Sequence, residues 1–249
     1  MLEIKRVSKS FGGIRAVSDC TLELRDYTIA GLIGPNGSGK TTLFNLITGS
    51  LPLDRGEIYF EGKRIDGRLP HEVAWEGLIR TFQLTRIFPK MTVLENMLLA
   101  PPHQTGESFW SLWFKRRRMR NEEKEHLEKA LELIDRVGLS HLKNQFAENL
   151  SYGQQKLLEL VRVVMAEPKM ILLDEPTAGI NPSMIRRMME LILKIKMSGK
   201  VFFIIEHNMD VIIELCDWVF VLDNGEKIAE GKPKEIQNNP RVIEAYLGV

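Results

Sequence analysis

The stretch Gly34-Pro35-Asn36-Gly37-Ser38-Gly39-Lys40-Thr41 decides the reading of this chain. It fits the pattern G-x-x-x-x-G-K-[ST], in which glycines permit backbone conformations that turn several amide N–H groups toward an anion. The helix that follows adds the positive end of its dipole. Lys40 supplies a mobile cation for the β- and γ-phosphates of a nucleotide, and the Thr41 hydroxyl is a ligand for Mg²⁺. The context is met on both sides: Thr28 to Ile33 is a continuous apolar run of buried-strand type, and Lys40 to Thr48 is helix-forming. A glycine turn that binds nothing accounts for neither the complete motif nor its setting between a strand and a helix.

A phosphate loop needs a metal-side carboxylate at the end of a neighbouring strand. Met170-Ile171-Leu172-Leu173-Asp174-Glu175 supplies it. Four apolar residues carry Asp174 to the strand end, where it can hold Mg²⁺ through water, and Glu175 beside it is placed to orient or polarise the attacking water. Alone, an apolar run ending in Asp-Glu is an ordinary strand ending; the loop gives it meaning.

Further along, Met170–Leu173 and Val201–Ile205 are short apolar runs separated by a helical stretch from Pro182 to Lys196, which implies a parallel sheet flanked by helices. Asn224-Gly225, between Val219–Leu222 and Lys227–Ala229, signals a hairpin. Pro233 and Pro240 open two short C-terminal helices. Toward the N-terminus, Leu2 and Ile4 alternate with charged residues, Thr21–Leu24 alternates again, and residues 53–67 suggest a small antiparallel meander.

From about Phe88 to Leu160 the pattern turns helical, over Met91–Ala100 and Glu122–Val137, with Leu127, Leu131 and Ile134 on one face and Glu125 four residues before Lys129. This reads as an inserted helical subdomain. Between its helices, the aromatic cluster Phe109–Phe114 is followed by a basic run, Lys115–Arg120. Three readings of that segment stay open: a solvated basic helix, a patch facing lipid headgroups, or a nucleic-acid contact.

The 249 residues are 44% apolar and 27% charged, within the range of an ordinary globular chain. Thirty-four Lys and Arg against 33 Asp and Glu give a formal charge of +1, which excludes a global field that recruits nucleic acid or anionic membrane. No apolar run approaches the roughly 20 residues that span a bilayer. The opening Met1–Lys5 lacks a signal-peptide character, so the expectation is a chain that neither crosses a membrane nor is exported by that route. The two cysteines, Cys20 and Cys216, have no metal-type spacing and suit inert packing in a reducing compartment.

With these features in place, the chain resembles the ATP-binding subunits of ABC transporters, because Leu150-Ser151-Tyr152-Gly153-Gln154-Gln155-Lys156 is similar to the family signature Leu-Ser-Gly-Gly-Gln. The resemblance covers essentially the whole chain. It places Phe11 where the family stacks an aromatic on adenine, and Gln83 in Arg80-Thr81-Phe82-Gln83 where a glutamine contacts Mg²⁺ and water. Ala178-Gly179-Ile180-Asn181 falls at the dimer-contacting loop, and His207 at the γ-phosphate-sensing histidine. Read without the family, Phe11 is a cap on a small core, Gln83 a surface amide, His207 a hydrogen-bonded structural residue, and Ser151 with Gly153 and Gln154 a helix N-cap. Tyr152 departs from the commoner glycine, leaving the γ-phosphate contact to Ser151 and the Gly153 backbone. That departure, the Arg80–Gln83 motif and the ending Val242–Gly248 resemble the LivG-type ATPases of branched-chain amino-acid importers.

The resemblance implies an α/β fold, a P-loop NTPase with a RecA-like parallel-sheet core. It also implies a single domain over 1–249, with an ATP-binding core over 1–87 and 161–249 that includes an antiparallel β subdomain, a helical subdomain over 88–160 carrying the signature, and a C-terminal helical tail over 232–249. It implies ATP and Mg²⁺ as cofactors. The nucleotide would be bound by Phe11, Gly34, Pro35, Asn36, Gly37, Ser38, Gly39, Lys40, Thr41 and Thr42, with Ser151, Gly153 and Gln154 from a second subunit. Thr41, Gln83 and Asp174 would hold the metal, and Glu175, His207 and Gln83 would serve hydrolysis. Two chains would pair head to tail around two ATP molecules, as a homodimer or with a related ATPase. Polytopic membrane permease subunits would dock near Thr85 to Met91 at the cytoplasmic face of the membrane, and an extracytoplasmic solute-binding protein would act indirectly. No nucleic-acid partner is expected. Three rival readings stand beside it: an ABC importer ATPase for another amino acid or small polar solute; a soluble ABC-type ATPase in DNA repair or translation, without the coiled-coil insertion or second cassette usual there; and a module that holds ATP without hydrolysing it, opposed by Glu175 and His207.

Overall fold

The computed structural model describes residues 1–24, 29–81, 87–102 and 116–247, in two units. The first comprises Met1–Gln83, Lys169–Thr177 and Ile192–Val249. In chain order its strands are β1 (Leu2–Phe11), β2 (Ile14–Leu24), β3 (Ile29–Ile33), β4 (Arg55–Phe60), β5 (Lys63–Arg64), β6 (Leu78–Arg80), β7 (Met170–Asp174), β8 (Val201–Ile205), β9 (Trp218–Asp223) and β10 (Glu226–Gly231). One sheet is antiparallel, in the order β2-β1-β4-β5. The other runs β10-β9-β3-β8-β7-β6 and is parallel except at the β9–β10 hairpin. That hairpin turns at Asn224-Gly225 with φ of 46° and 81°, the two positive values that a tight two-residue turn needs.

β3 and β7 are buried at every residue, as strands covered on both faces must be, and this is why their sequences are unbroken apolar runs. An apolar cluster joins the two sheets; Phe203 lies between Phe44 and Phe220 with ring centroids 5.1 and 6.3 Å apart. Phe203 points from β8, Phe220 from β9, and Phe44 from the helix Lys40–Ile47, so the cluster packs that helix on the sheet. The registers Leu32↔Ile205 and Asp174↔Ile205 align the C-terminal ends of β3, β8 and β7 along one edge. Gly34, Asp174-Glu175 and Glu206-His207 therefore leave the sheet side by side, in the position where open parallel sheets bind ligands.

The second unit comprises Leu84–Pro168 and Ala178–Leu191. Its helices Val93–Leu98, Arg116–Arg136 and Tyr152–Met165 pack on one another. The expected subdomain ended at residue 160, but the helix continues to Met165 and buries Val161, Val163 and Met165, so a boundary at 160 would cut through a packed face. Of the expected apolar face of the long helix, Ile134 is fully buried and Leu131 half-buried, while Leu127 departs from it. Leu127 is 38% exposed, and Ile134 is buried together with Ala130, Leu133 and Val137, an i, i+3, i+4, i+7 set. Lys129 pairs with Glu167 rather than with Glu125. The long helix starts at Arg116, inside the basic run, while the aromatic cluster Phe109–Phe114 and Lys115 lie outside the described residues.

Candidate functional site

β3 ends at Ile33, and at Gly34, the next residue, a Cβ would stand 2.0 Å from the Leu222 carbonyl oxygen; at Gly39, with φ of 99°, a Cβ would stand 2.2 Å from the Ala16 carbonyl oxygen. Only glycine fits either place. Between them the loop is buttressed from the β9–β10 turn: Gly225 N–H donates to the Ser38 carbonyl at 3.1 Å, and Ser18 N–H to the Gly225 carbonyl at 2.8 Å. Pro35 is half-buried, Asn36 and Gly37 are exposed, and Ser38 is buried. Gly39 caps the helix Lys40–Ile47 without any side-chain hydrogen bond to its first amides, and Thr41 is exposed in that first turn with Thr42 half-buried behind it. The N–H groups of the helix start are thus left to an anion.

Lys40 is not the freely moving cation that the motif suggested. It is buried, and its ammonium donates to the carbonyls of Gly34 and Pro35, both at 2.9 Å, and to Ser38 Oγ at 3.3 Å. The loop's own oxygens hold the charge where phosphate oxygens would otherwise take it. Burial pushes the Lys40 ammonium below its ordinary value of 10.5, and the nearby carboxylates of Glu175 and Asp174 oppose that fall.

Asp174, at the end of β7, is buried and pairs with the Arg80 guanidinium at 2.6 Å. Arg80 ends the adjacent strand β6, also donates to Asn45 Oδ1 at 2.6 Å, and lies over the Phe44 ring. Glu175 follows with φ of 50°, a left-handed backbone unusual for glutamate, fixed by its N–H donating to the Ile205 carbonyl at 2.9 Å. Its Oε1 is 3.0 Å from His207 Nε2. Thr41 and Asp174 are hard oxygen donors, of the kind that Mg²⁺ takes from a protein when phosphates complete its shell, and the donor chemistry fits that ion. Gln83, the third expected metal ligand, lies outside the described residues, as do Thr85 and Arg86 of the expected permease edge.

Phe11 ends β1 and is 46% exposed; Lys9 lies over its ring at 5.6 Å and is held by Asp54 at 2.7 Å.

In the second unit, Ser151 caps the helix Tyr152–Met165. Its Oγ accepts the Gln154 N–H and the Gln154 side-chain oxygen accepts the Ser151 N–H at 2.9 Å, a capping box. The helix-cap reading of these residues thus holds in this structure, with Gln154 engaged by the cap. Gly153 is buried against Met184. The Tyr152 ring packs beside Gly179 and receives the Lys156 ammonium at 5.4 Å, so the residue that departs from the signature supports the Ala178–Asn181 loop.

Two contacts were not foreseen. Glu206 is buried beside His207 and gathers four donors, and the Tyr246 hydroxyl meets Gly34 N–H at 2.9 Å. For Glu206 a signal existed, since β8 runs into Glu206-His207 as β7 runs into Asp174-Glu175. For Tyr246 there was none.

A family model described as "ABC transporter" matches residues 17–178, and one described as "Branched-chain amino acid ATP-binding cassette transporter" matches residues 226–249. The chain is 41% identical to a probable branched-chain amino acid transport ATP-binding protein LivG of Archaeoglobus fulgidus, covering 100% of this chain and 95% of that protein. It is 38% identical to BraF of Pseudomonas aeruginosa, a high-affinity branched-chain amino acid transport ATP-binding protein, covering 100% and 98%. Among solved structures, a nucleotide-free ATP-binding cassette from an ABC transporter superposes with a TM-score of 0.84 at 38% identity over 100% of this chain and 99% of that one. A dimeric cassette in a post-hydrolysis state, bound to ADP and Pi, gives 0.76 at 27% identity over 94% and 99%. Identity of 38 to 41% sustained over the whole length is membership rather than likeness, and the chain belongs to the ATP-binding cassette family of ABC transporters.

Proposed function

We propose that this ABC ATPase binds MgATP at the phosphate loop, hydrolyses it with Glu175 and His207, and drives import of branched-chain amino acids through membrane permease subunits. The 3.0 Å contact between Glu175 and His207, beside Lys40 and Asp174, carries the hydrolytic part. Lys40 binds the γ-phosphate by exchanging the Gly34 and Pro35 carbonyls for phosphate oxygens, while the amides of the loop and of the helix start hold the rest of the chain of phosphates. Phe11 offers an exposed ring to the base. Mg²⁺, held by Thr41, by Asp174 and by Gln83, would supply positive charge opposite the β- and γ-phosphate oxygens. Glu175 orients the attacking water and receives its proton, and His207 holds Glu175 and reaches the γ-phosphate.

Head-to-tail pairing of two chains would place Ser151, Gly153 and Gln154 of one against the nucleotide of the other, with the Ser151 cap presenting helix amides to the γ-phosphate. Loss of that phosphate separates the pair and resets the transporter. No helix among the described residues is long and apolar enough to cross a membrane, which suits a subunit that works peripherally on permease partners at the cytoplasmic face. The names of the LivG and BraF relatives support the solute class.

Steady-state phosphate release tests the chemistry. Glu175→Gln should keep nucleotide binding and lose turnover, and wild-type turnover in that variant overturns the assignment. Uptake of labelled leucine, isoleucine and valine by the reconstituted complex tests the solute; import of an unrelated solute in their place overturns it.

A further inference from the structure

We propose that Glu206 is a positioning residue of the hydrolytic site, holding Glu175 and His207 in the arrangement in which they meet. The inference rests on the roles assigned above to those two residues. Glu206 follows β8 and is 3% exposed. One carboxylate oxygen accepts the Thr177 N–H at 3.0 Å together with the Thr177 hydroxyl. The other accepts the N–H of His207 at 3.0 Å and of Asn208 at 3.4 Å.

These four donors come from the two segments that carry the hydrolytic pair. Thr177 lies two residues beyond Glu175, across Pro176, and His207 adjoins Glu206 itself. The segment 175–177 is fastened at both ends to the end of β8 and the residue after it, by Glu175 N–H on the Ile205 carbonyl and by Thr177 on Glu206. Between these points Glu175 keeps its left-handed φ of 50°, a conformation that a non-glycine residue holds only where its surroundings impose it. A buried carboxylate satisfied by charge-assisted hydrogen bonds is a stiff clamp, whereas the same group short of partners would be costly. His207 N–H and Thr177 N–H sit on opposite oxygens of one planar group, so that plane sets the spacing from which the 3.0 Å contact of Glu175 with His207 follows.

The geometry dictates which substitutions discriminate. Glu206→Gln must turn an NH₂ group toward backbone N–H donors on one side or the other, since both oxygens are in use. Thr177→Val removes one hydrogen bond in a side chain of similar shape, and Thr177→Ser keeps it. A role confined to folding would lower stability and leave turnover per folded molecule unchanged. A positioning role lowers kcat while leaving ATP affinity in place, because misplacement of reacting groups by about 1 Å costs on the order of 10²-fold.

The full-length chain is assayed for steady-state kcat, for ADP affinity by calorimetry, and for thermal unfolding, with Glu175→Gln alongside. The expected result is a kcat lowered roughly 10²-fold in Glu206→Gln and about 3- to 10-fold in Thr177→Val, wild-type kcat in Thr177→Ser, and ADP affinity within about 2-fold throughout. In a His207→Ala background, Glu206→Gln should lower kcat far less than in the wild type, since the clamp then has one partner fewer to place. If Glu206→Gln does not fold, Thr177→Val and Thr177→Ser decide. Turnover lost in Glu175→Gln but kept in both Glu206→Gln and Thr177→Val overturns the clamp alone. Turnover kept in Glu175→Gln overturns the catalytic reading beneath it.

Discussion

The hydroxyl of Tyr246 accepts the backbone N–H of Gly34 at 2.9 Å, across 212 positions of sequence, and so ties the C-terminal helix Pro240–Leu247 to the first residue of the phosphate loop. Gly34 lies just past the last ladder pairs of β3, at Leu32 with Ile205 and Ile33 with Val221. Its buried N–H is served by a side chain at the point where the strand gives way to the loop.

Tyr246→Phe removes that acceptor and keeps the ring. Losing the partner of a buried N–H costs about 1–3 kcal/mol, so ADP affinity measured by calorimetry should fall several-fold. Unchanged affinity would mean that the loop holds its shape without the tail.

Arg80 and Asp174 form an ion pair whose side chains are 5% and 3% exposed. Removing one member strands a buried charge, and Arg80→Met or Asp174→Asn should each destabilise the fold by about 3–5 kcal/mol in urea unfolding. The double variant should lose clearly less than the sum of the two. Additive losses would show that the pair contributes nothing as a pair. Loss of ATPase in an Asp174 variant must accordingly be read beside its stability.

Burial pushes the thiols of Cys20 and Cys216 up from 9.0 to about 12. At pH 8 a disulfide reagent should leave both untouched in the folded protein and titrate both after unfolding. The sign of the pH effect follows: between about 9 and about 12 the unfolded chain has released these protons and the folded chain has kept them, so stability falls as pH rises through that window. The slope is roughly 1.4 kcal/mol per thiol per pH unit. Replacement of both cysteines by alanine should flatten that decline, and an equal decline without them would refute the assignment.

Asn96 is fully buried and ties down the loop before its own helix, accepting the Phe88 N–H at 2.8 Å and donating to the carbonyls of Phe88, Met91 and Thr92. Asn96→Leu should raise hydrogen exchange at Phe88 and nearby amides by at least tenfold, matching a local loss of about 1–3 kcal/mol. Protection equal to wild type would show that the loop is ordered by other contacts.

How much of this was legible in the chain depends on the range of the interaction. The glycines of the phosphate loop, the hairpin at Asn224-Gly225 and the cap at Ser151 act within a few residues, through φ and through N–H groups close by, and their sequence readings agree with the structure. In the long helix Ile134 of the expected stripe is buried but Leu127 is exposed, because periodicity specifies a spacing and only packing selects which residues of neighbouring rows are covered.

By itself the sequence determined a strand, a phosphate loop and a helix in that order, a second strand ending in two carboxylates, and a third ending before a histidine, since each is a local backbone or hydrophobicity property. Tertiary structure alone decided that Arg80 reaches Asp174 across 94 positions and that Glu206 reaches Thr177 across 29. Those partners are brought together by the order of strands in a parallel sheet, and a buried charge takes whichever donor that order sets beside it.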